Sequence, residues 1–266
     1  MLGSVQEFLV KDNITNIGFV GVGNLGRHAI FGLKDSFSII ASDPIQNEDI
    51  KKLGIEYQTV EDLCKNSDVI FLTIKPNKAK EVLYKIKDLI EDKLIISFIA
   101  GMSLKNLKTH LSTTNVIRAM PSLGISNGVS PIAVCSEKKI ENNIGMIILD
   151  RLGKCIEIDE SKFDAFTSIF GAGPAYISYL GNLLSEIALT NGFEDPEPLI
   201  RELLGGTYEI HNSHSKPSFN EIKNMVASKG GVTEAALKKI ESSGMEEIWK
   251  LAIEEAINQS KNLGEN

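Results

Sequence analysis

Three glycines mark the first place in this sequence where chemistry could occur. Gly21, Gly23 and Gly26 form a GxGxxG pattern that directly follows an apolar stretch and opens a helix-like one. In such a turn the first glycine allows a tight bend, the second lets the backbone approach a pyrophosphate, and the third lets helix and strand pack closely. The helix N-terminus also offers unpaired N–H groups to phosphates. The pattern predicts a dinucleotide site, and a purely structural turn is the alternative.

An acidic residue ends the next apolar stretch. Asp43 lies where a carboxylate can accept hydrogen bonds from both hydroxyls of an adenosine ribose, and where it would repel a 2′-phosphate. This position predicts NADH or NADPH as cofactor, with NADH favoured. The alternative is a turn aspartate before Pro44.

Two dipeptides follow predicted strands at the same edge of the sheet. They are Lys75-Pro76 and Ala100-Gly101. Ligands of open α/β sheets bind outside the carboxyl ends of the strands, so these residues are expected to face the nicotinamide half of the cofactor. For Lys75, a solvated residue that opens the next helix is an equal alternative.

The segment SKGGVT (228–233) lies between two predicted helices. Paired glycines followed by a threonine at a helix start can present several N–H groups and one hydroxyl to an anion. The segment predicts an anion site, with a plain helix–turn–helix link as the alternative.

These residues need a framework, and the apolar pattern supplies one. Up to residue 160, apolar runs alternate with helix-like stretches, which predicts a doubly wound parallel sheet with both faces covered. The predicted strands are 13–20, 36–42, 68–74, 93–99, 114–120, 130–135 and 154–158. The prediction is therefore an α/β domain over residues 1–160.

From residue 161 to 266 the pattern is helical throughout. Phe163, Phe166 and Phe170 form an expected core stripe, and Pro174 opens a long apolar helix that Gly192 ends. Further helices are predicted at 196–212, 218–227, 233–242 and 244–262. Because a small bundle cannot bury so apolar a helix alone, we expect dimerisation through this region.

Composition excludes several classes of protein. A net charge of −7 over 266 residues argues against nucleic acid as a partner. Three scattered cysteines predict neither disulfides nor structural zinc, and His211 with His214 lacks the carboxylates or thiolates of a metal site, so no metal is expected. Since no signal peptide or membrane span is predicted, we expect a cytoplasmic protein.

Together these segments resemble the pyrroline-5-carboxylate reductase family. The resemblance runs from about Ile14 to Leu263, and its two most specific segments are GAGPAYI (171–177) and SKGGVTEAALKKIESSG (228–244). The other segments are IGFVGVGNLG (17–26), DVIFLTIKP (68–76), ISFIAGMSL (96–104) and IRAMPS (117–122).

The resemblance implies an oxidoreductase of proline biosynthesis, an amino-acid biosynthesis route. The family transfers a hydride from NADPH or NADH to the C=N bond of 1-pyrroline-5-carboxylate, a cyclic imino acid, and joins a Rossmann domain to a helical domain that interlocks as a homodimer. Substrate would be held by Ser228, Gly230, Gly231 and Thr233, with Thr233 and Lys75 as candidate catalytic residues. The cofactor would be lined by Gly21, Val22, Gly23, Asn24, Leu25, Gly26, Thr73, Ile74, Lys75, Pro76, Phe98, Ile99, Ala100 and Gly101.

Three positions depart from the family pattern. Ser122 replaces an asparagine after Met120-Pro121, Lys229 replaces a proline, and Val232 precedes the final threonine. These changes leave open a related NAD(P)-dependent imine or hydroxyacid reductase with another substrate, or a non-catalytic dinucleotide-binding protein. A β-hydroxyacid dehydrogenase would need a lysine on the long helix, and residues 174–192 contain neither lysine nor arginine.

Overall fold

A computed structural model of the chain describes residues 16–91, 93–137 and 144–265. These residues form two compact units. The first contains the described residues up to 174 together with those from 256 onward, and the second contains 175–255. The functional division at residue 160 stays a prediction.

The first unit is built on an eight-stranded sheet, counted over the described residues. Its order is β3-β2-β1-β4-β5-β6-β7-β8, and every pairing is parallel except β6 with β7. The strands are β1 (Asn16–Val20), β2 (Ser38–Ser42), β3 (Glu56–Tyr57), β4 (Val69–Leu72), β5 (Leu94–Ser97), β6 (Val116–Met120), β7 (Pro131–Cys135) and β8 (Lys154–Glu157). The predicted doubly wound α/β class is confirmed; residues 13–15 of the first predicted strand lie outside the described residues.

Two details of the sheet differ from the prediction. The antiparallel β7 follows a connection over 121–130 that contains one short helical turn, Leu123–Asn127. A parallel neighbour needs a longer crossover, usually a full helix, so this connection returns the chain in the opposite direction. The short β3 was missed because two residues carry no recognisable periodicity.

Helices cover both faces of the sheet, which explains the unbroken apolar strands. All four residues of β4 and of β5 are buried. On one face Phe19 stacks on Phe71 at 4.8 Å between ring centroids, and Phe98 meets Phe71 edge-on at 5.3 Å. The helices of this unit are α1 (Asn24–Leu33), α2 (Glu48–Lys52), α3 (Val60–Asn66), α4 (Pro76–Ile86), α5 (Leu104–Leu111), α6 (Ile144–Leu149) and α7 (Phe163–Phe166).

The expected stripe of three phenylalanines is wrong in its last member. Phe163 and Phe166 are buried, but Phe170 is 46% exposed. A π-helical turn, Thr167–Gly171, follows α7. Such a turn holds more residues than an α-helical one, so it shifts Phe170 from the position that the spacing predicted, although its ring still lies 4.8 Å from that of Phe166.

The second unit is helical among its described residues, as predicted. After α8 (Gly173–Thr190), which begins at the unit boundary, come α9 (Glu197–His211), α10 (Phe219–Val226), α11 (Val232–Ser242) and α12 (Met245–Glu265), whose last residues belong to the first unit. Within it Tyr176 meets Trp249 edge-on at 5.5 Å. No helix of the described residues is both long enough and apolar enough to span a membrane.

Candidate active site

The turn after β1 requires glycine at its first position. Gly21 has φ +96°, and a Cβ there would lie 2.8 Å from Ile74 Cγ2 and 2.9 Å from the carbonyl group of Thr73. Its N–H donates to the carbonyl oxygen of Ser42 at 2.8 Å. The backbone around this turn leaves no room for a side chain, so the turn depends on glycine.

The other two glycines differ in what surrounds them. A Cβ on Gly26 would lie 2.6 Å from Thr73 Oγ1, which shows that α1 packs directly on the segment after β4. Gly23 is exposed at the N-cap of α1, with φ −70°, and a Cβ there would meet no protein atom within 4 Å. The helix start around Gly23 is therefore open to the outside and fits a pyrophosphate.

Asp43 lies at the end of β2, as predicted, and is tied to the glycine loop. Its Oδ2 accepts the N–H of Val22 at 2.7 Å, and its Oδ1 accepts the N–H of Ile45 at 2.8 Å. The bond from Ile45 is the local contact expected of a turn aspartate. The bond from Val22 connects the end of β2 with the loop after β1. Each carboxylate oxygen has a second lone pair, so both can still accept a hydrogen bond from a ribose hydroxyl.

The segment after β4 supports the same loop. Thr73 Oγ1 donates to the carbonyl oxygen of Gly21 at 2.5 Å, and Pro76 occupies the first turn of α4. Lys75 is the N-cap of α4 and is exposed, without a side-chain capping bond. Its position is that of a residue opening a helix, and its contact with nicotinamide stays a prediction.

The segment after β5 contains buried and accessible residues. The side chains of Phe98 and Ile99 are almost completely buried in the core, whereas Ala100 and Gly101 are partly exposed. Phe98 and Ile99 can therefore offer only their backbone to a cofactor. Gly101 has φ +75°, which reverses the chain before α5.

The SKGGVT segment forms the turn between α10 and α11 in the second unit. Gly230 has φ +74°, and its N–H donates to Glu234 Oε2 at 2.8 Å. The N–H of Gly231 donates to the carbonyl oxygen of Ser228 at 3.0 Å. Both amides predicted to bind an anion already have acceptors inside the turn, which an incoming carboxylate would have to displace.

Thr233 lies in the first turn of α11 and is partly exposed. Among the described residues its hydroxyl has no hydrogen-bond partner, so it is available to a ligand. The neighbouring Glu234 also pairs with Lys238 at 3.2 Å. The hydrogen bond from the Gly230 N–H, together with this ion pair, lowers the pKa of Glu234. Glu234 was not among the residues predicted from the sequence, although an acidic residue in the first turn of a helix is a recognised capping signal.

Ser122, which departs from the family pattern, is buried in the loop after β6. Its N–H donates to Ser130 Oγ at 2.9 Å, and the two hydroxyl oxygens are 3.2 Å apart. This side chain therefore stabilises its own loop.

Across the described ranges no group of three or more His, Cys, Asp or Glu side chains is placed to hold a metal.

Both parts of the chain are similar to known protein families. A family model described as pyrroline-5-carboxylate reductase dimerisation matches residues 160–263, and one described as coenzyme F420-dependent NADP oxidoreductase matches 16–101. A pyrroline-5-carboxylate reductase of Methanosarcina acetivorans is 29% identical, over 93% of this chain and 97% of its own.

Two solved structures are similar over almost their full length. A 1-pyrroline-5-carboxylate reductase of Streptococcus pyogenes has a TM-score of 0.82 at 28% identity, covering 94% of this chain and 99% of its own. A pyrroline carboxylate reductase of Plasmodium falciparum, solved with NADP bound, has a TM-score of 0.85 at 26% identity, covering 95% and 98%.

Three features define the class of this protein: a glycine loop at the end of β1, an acidic residue at the end of β2 and a following helical unit. They are those of the two-domain NAD(P)-dependent oxidoreductases. The dimerisation match and the full-length relatives narrow that class. Residues 160–263 match the dimerisation model of the pyrroline-5-carboxylate reductase family, and nearly the whole chain is similar to proteins named pyrroline-5-carboxylate reductase.

Proposed function

We propose that this protein reduces the C=N bond of 1-pyrroline-5-carboxylate to give L-proline, using NADH or NADPH. The observation that carries the proposal is the presence in one chain of the open glycine loop at Gly23 and the turn 228–233 with its available Thr233 hydroxyl. The relatives named pyrroline-5-carboxylate reductase support it over nearly the whole chain.

The reaction makes separate demands on the two loops. Gly21, Gly23 and Gly26 of the glycine loop would hold a reduced nicotinamide dinucleotide, which would supply the hydride for the imine carbon, and the ring nitrogen would gain one proton. For Ser228, Gly230 and Gly231 to hold the substrate carboxylate through hydroxyl and N–H groups, the carboxylate must displace Glu234 and the Ser228 carbonyl oxygen from the two amides. Exposed Lys229 adds a positive charge nearby. Thr233 orients the nitrogen or relays a proton from water, because an alkyl hydroxyl is too weak an acid to supply one itself.

A steady-state assay tests the proposal. NADH and NADPH consumption should require 1-pyrroline-5-carboxylate, and proline should form in equal amount. Oxidation of cofactor without proline, or no oxidation at all, would reject the activity and leave a dinucleotide-binding role.

A second candidate is reduction of a related cyclic imino acid. The observations that favour it are Lys229 in place of proline and Ser122, whose hydroxyl is paired with Ser130. The same assay with a six-membered cyclic imino acid discriminates between the two. A higher kcat/KM for the six-membered ring would favour the second candidate.

For the cofactor, we propose a preference for NADH that rests on Asp43. Two unit charges about 5 Å apart at an effective dielectric near 20 repel by roughly 3 kcal/mol. Solvent screening reduces this to about 1–2 kcal/mol, on the order of tenfold in affinity. The nearby Lys51 and Lys52 pair with Glu48 and Asp49 at 3.1 and 3.8 Å, which limits their ability to offset the repulsion of a 2′-phosphate.

The matched variants Asp43→Asn and Asp43→Ser test this preference. Both remove the charge, but only asparagine is long enough to keep an oxygen acceptor for the N–H of Val22. We expect kcat/KM for NADPH relative to NADH to rise about tenfold in Asp43→Asn, chiefly through a lower KM for NADPH. Two results would contradict this preference and leave Asp43 as a turn residue only. One is an equal kcat/KM for NADPH and NADH in the wild type, and the other is a ratio of these two values that neither substitution changes.

We also propose a homodimer or larger assembly formed through the helical region. In the apolar helix α8 the buried residues are Gly181 and Ser185, while Ile177, Tyr179, Leu183 and Ile187 are exposed. Apolar surface of this extent on one helix indicates an interface. Light scattering at micromolar protein should give at least twice the monomer mass, and a monomeric mass would contradict the proposal.

The expected site of action is the cytoplasm. Cys64, Cys135 and Cys155 are all free thiols, which suits a reducing compartment. Localisation of a tagged chain by cell fractionation would check it.

A further inference from the structure

Arg118 is a charged residue buried inside the sheet. It lies in β6 opposite Ser97 of β5 and Cys135 of β7, and only 3% of it is exposed. Its Nη1 pairs with Glu160 Oε1 at 2.8 Å, and its guanidinium lies 4.3 Å from the ring centroid of Phe163. A buried guanidinium is costly unless a carboxylate compensates it, so Arg118 fixes the position of Glu160.

The same oxygen of Glu160 has a second partner. Glu160 Oε1 also accepts the N–H of Leu104, the first residue of α5, at 2.6 Å. It therefore bridges the sheet interior and the end of the segment 98–103, which we call the β5–α5 turn. This turn contains Ala100 and Gly101, the partly exposed residues expected to border the nicotinamide half of the cofactor.

The last residues of α12 contact the same turn from another direction. A Cβ on Gly101 would lie 2.8 Å from the nitrogen of Gly264 and from the carbonyl oxygen of Ser260. Asn106 Nδ2 donates to the carbonyl oxygen of Gly264 at 3.5 Å, and Ser260 Oγ donates to Asp164 Oδ1 at 2.7 Å. The helix end and the turn are in backbone contact, with no room for a side chain between them.

We propose that Glu160 and Gly264 are positioning residues that hold the β5–α5 turn in place for the nicotinamide half of the cofactor. The inference rests on the proposed function, because it takes this turn to border the cofactor. Glu160 precedes residues 175–255 in the chain and Gly264 follows them, and both contact the β5–α5 turn or the residue directly after it.

The first test separates the hydrogen bond from the charge of Glu160. Glu160→Ala removes the acceptor of the Leu104 N–H, whereas Glu160→Gln keeps an oxygen there and removes the charge. We expect the Kd for NADH, measured by fluorescence titration, to rise three- to tenfold in Glu160→Ala and less than twofold in Glu160→Gln. Asp159→Ala, which removes an exposed ion pair with Lys162, is the matched control and should bind as wild type.

A structural role alone would give a different pattern. Both Glu160 variants would then lower the Tm, and the Kd for NADH measured well below that Tm would stay within twofold of wild type, which would overturn the inference. Equal weakening in the Ala and Gln variants would also overturn it, since charge rather than the bond to Leu104 would then be responsible.

A second variant keeps the inference testable if Glu160→Ala does not fold. Gly264→Ala places a methyl group against the carbonyl oxygen of Gly101, and Lys261→Ala changes an exposed residue of the same helix end. We expect at least a threefold higher Kd for NADH in the first and no change in the second. If wild type binds NADH and produces proline but Gly264→Ala binds equally well, only this inference fails; if wild type binds no NADH, the proposed function fails with it.

Discussion

Replacing Gly23 by alanine is expected to weaken NADH binding roughly tenfold to hundredfold while leaving the fold intact. A Cβ at this position meets no protein atom within 4 Å, and φ is −70°, so the folded chain accepts alanine. If a pyrophosphate approaches the backbone at Gly23, the methyl group intrudes on the ligand, and overpacking of this kind costs about 1–3 kcal/mol. The Kd for NADH from calorimetric titration measures the loss.

Gly21→Ala is the matched control, because the two glycines share a loop and differ in their surroundings. At Gly21 the positive φ and the backbone of Thr73 both oppose a Cβ, so the variant should lose stability in the absence of cofactor. Gly23→Ala should change the free energy of unfolding by less than about 1 kcal/mol, the range of a cap substitution. If Gly23→Ala binds NADH as tightly as wild type, the pyrophosphate does not bind against Gly23.

Thr233→Ala is expected to lower kcat/KM for the imine by about five- to 150-fold. The figure corresponds to roughly 1–3 kcal/mol for one hydrogen bond lost in the transition state. Thr233 is partly exposed in the first turn of α11, and no described residue engages its hydroxyl, so little folding energy depends on it. Steady-state kinetics with varied imine at saturating NADH measures the effect.

Thr233→Ser is the control for this prediction, since it keeps a hydroxyl at the same position. It should retain most of the activity, while the Kd for NADH stays unchanged in both variants. Wild-type kcat/KM in Thr233→Ala would show that another group, or solvent alone, orients or protonates the ring nitrogen.

The positions of the glycine loop and of Asp43 in the fold were predictable because their signals are local. The turn at Gly21, the helix opened at Gly23 and the strand end at Asp43 each depend on a few consecutive residues, and the structure places them where the patterns predicted. The fold class followed from strands that are apolar throughout, since only a sheet covered on both faces buries them.

What the sequence could not supply depends on distant or irregular contacts. Arg118 and Glu160 are far apart in the chain, and no periodicity indicates that one oxygen joins Arg118 to Leu104. Phe170 is half-exposed and lies in a π-helical turn, which helical spacing does not anticipate. The bond from Gly230 to Glu234 required side-chain geometry as well as sequence.

Isotope transfer shows directly whether the protein delivers hydride from NADH to the imine carbon. The protein is incubated with 1-pyrroline-5-carboxylate and NADH deuterated at C4 on either face of the nicotinamide, in separate reactions, and the product is analysed by mass spectrometry and NMR. We expect one of the two reactions to give proline with a single deuterium at the δ-carbon, the former imine carbon. Proline without deuterium from both reactions, or no proline at all, would contradict it.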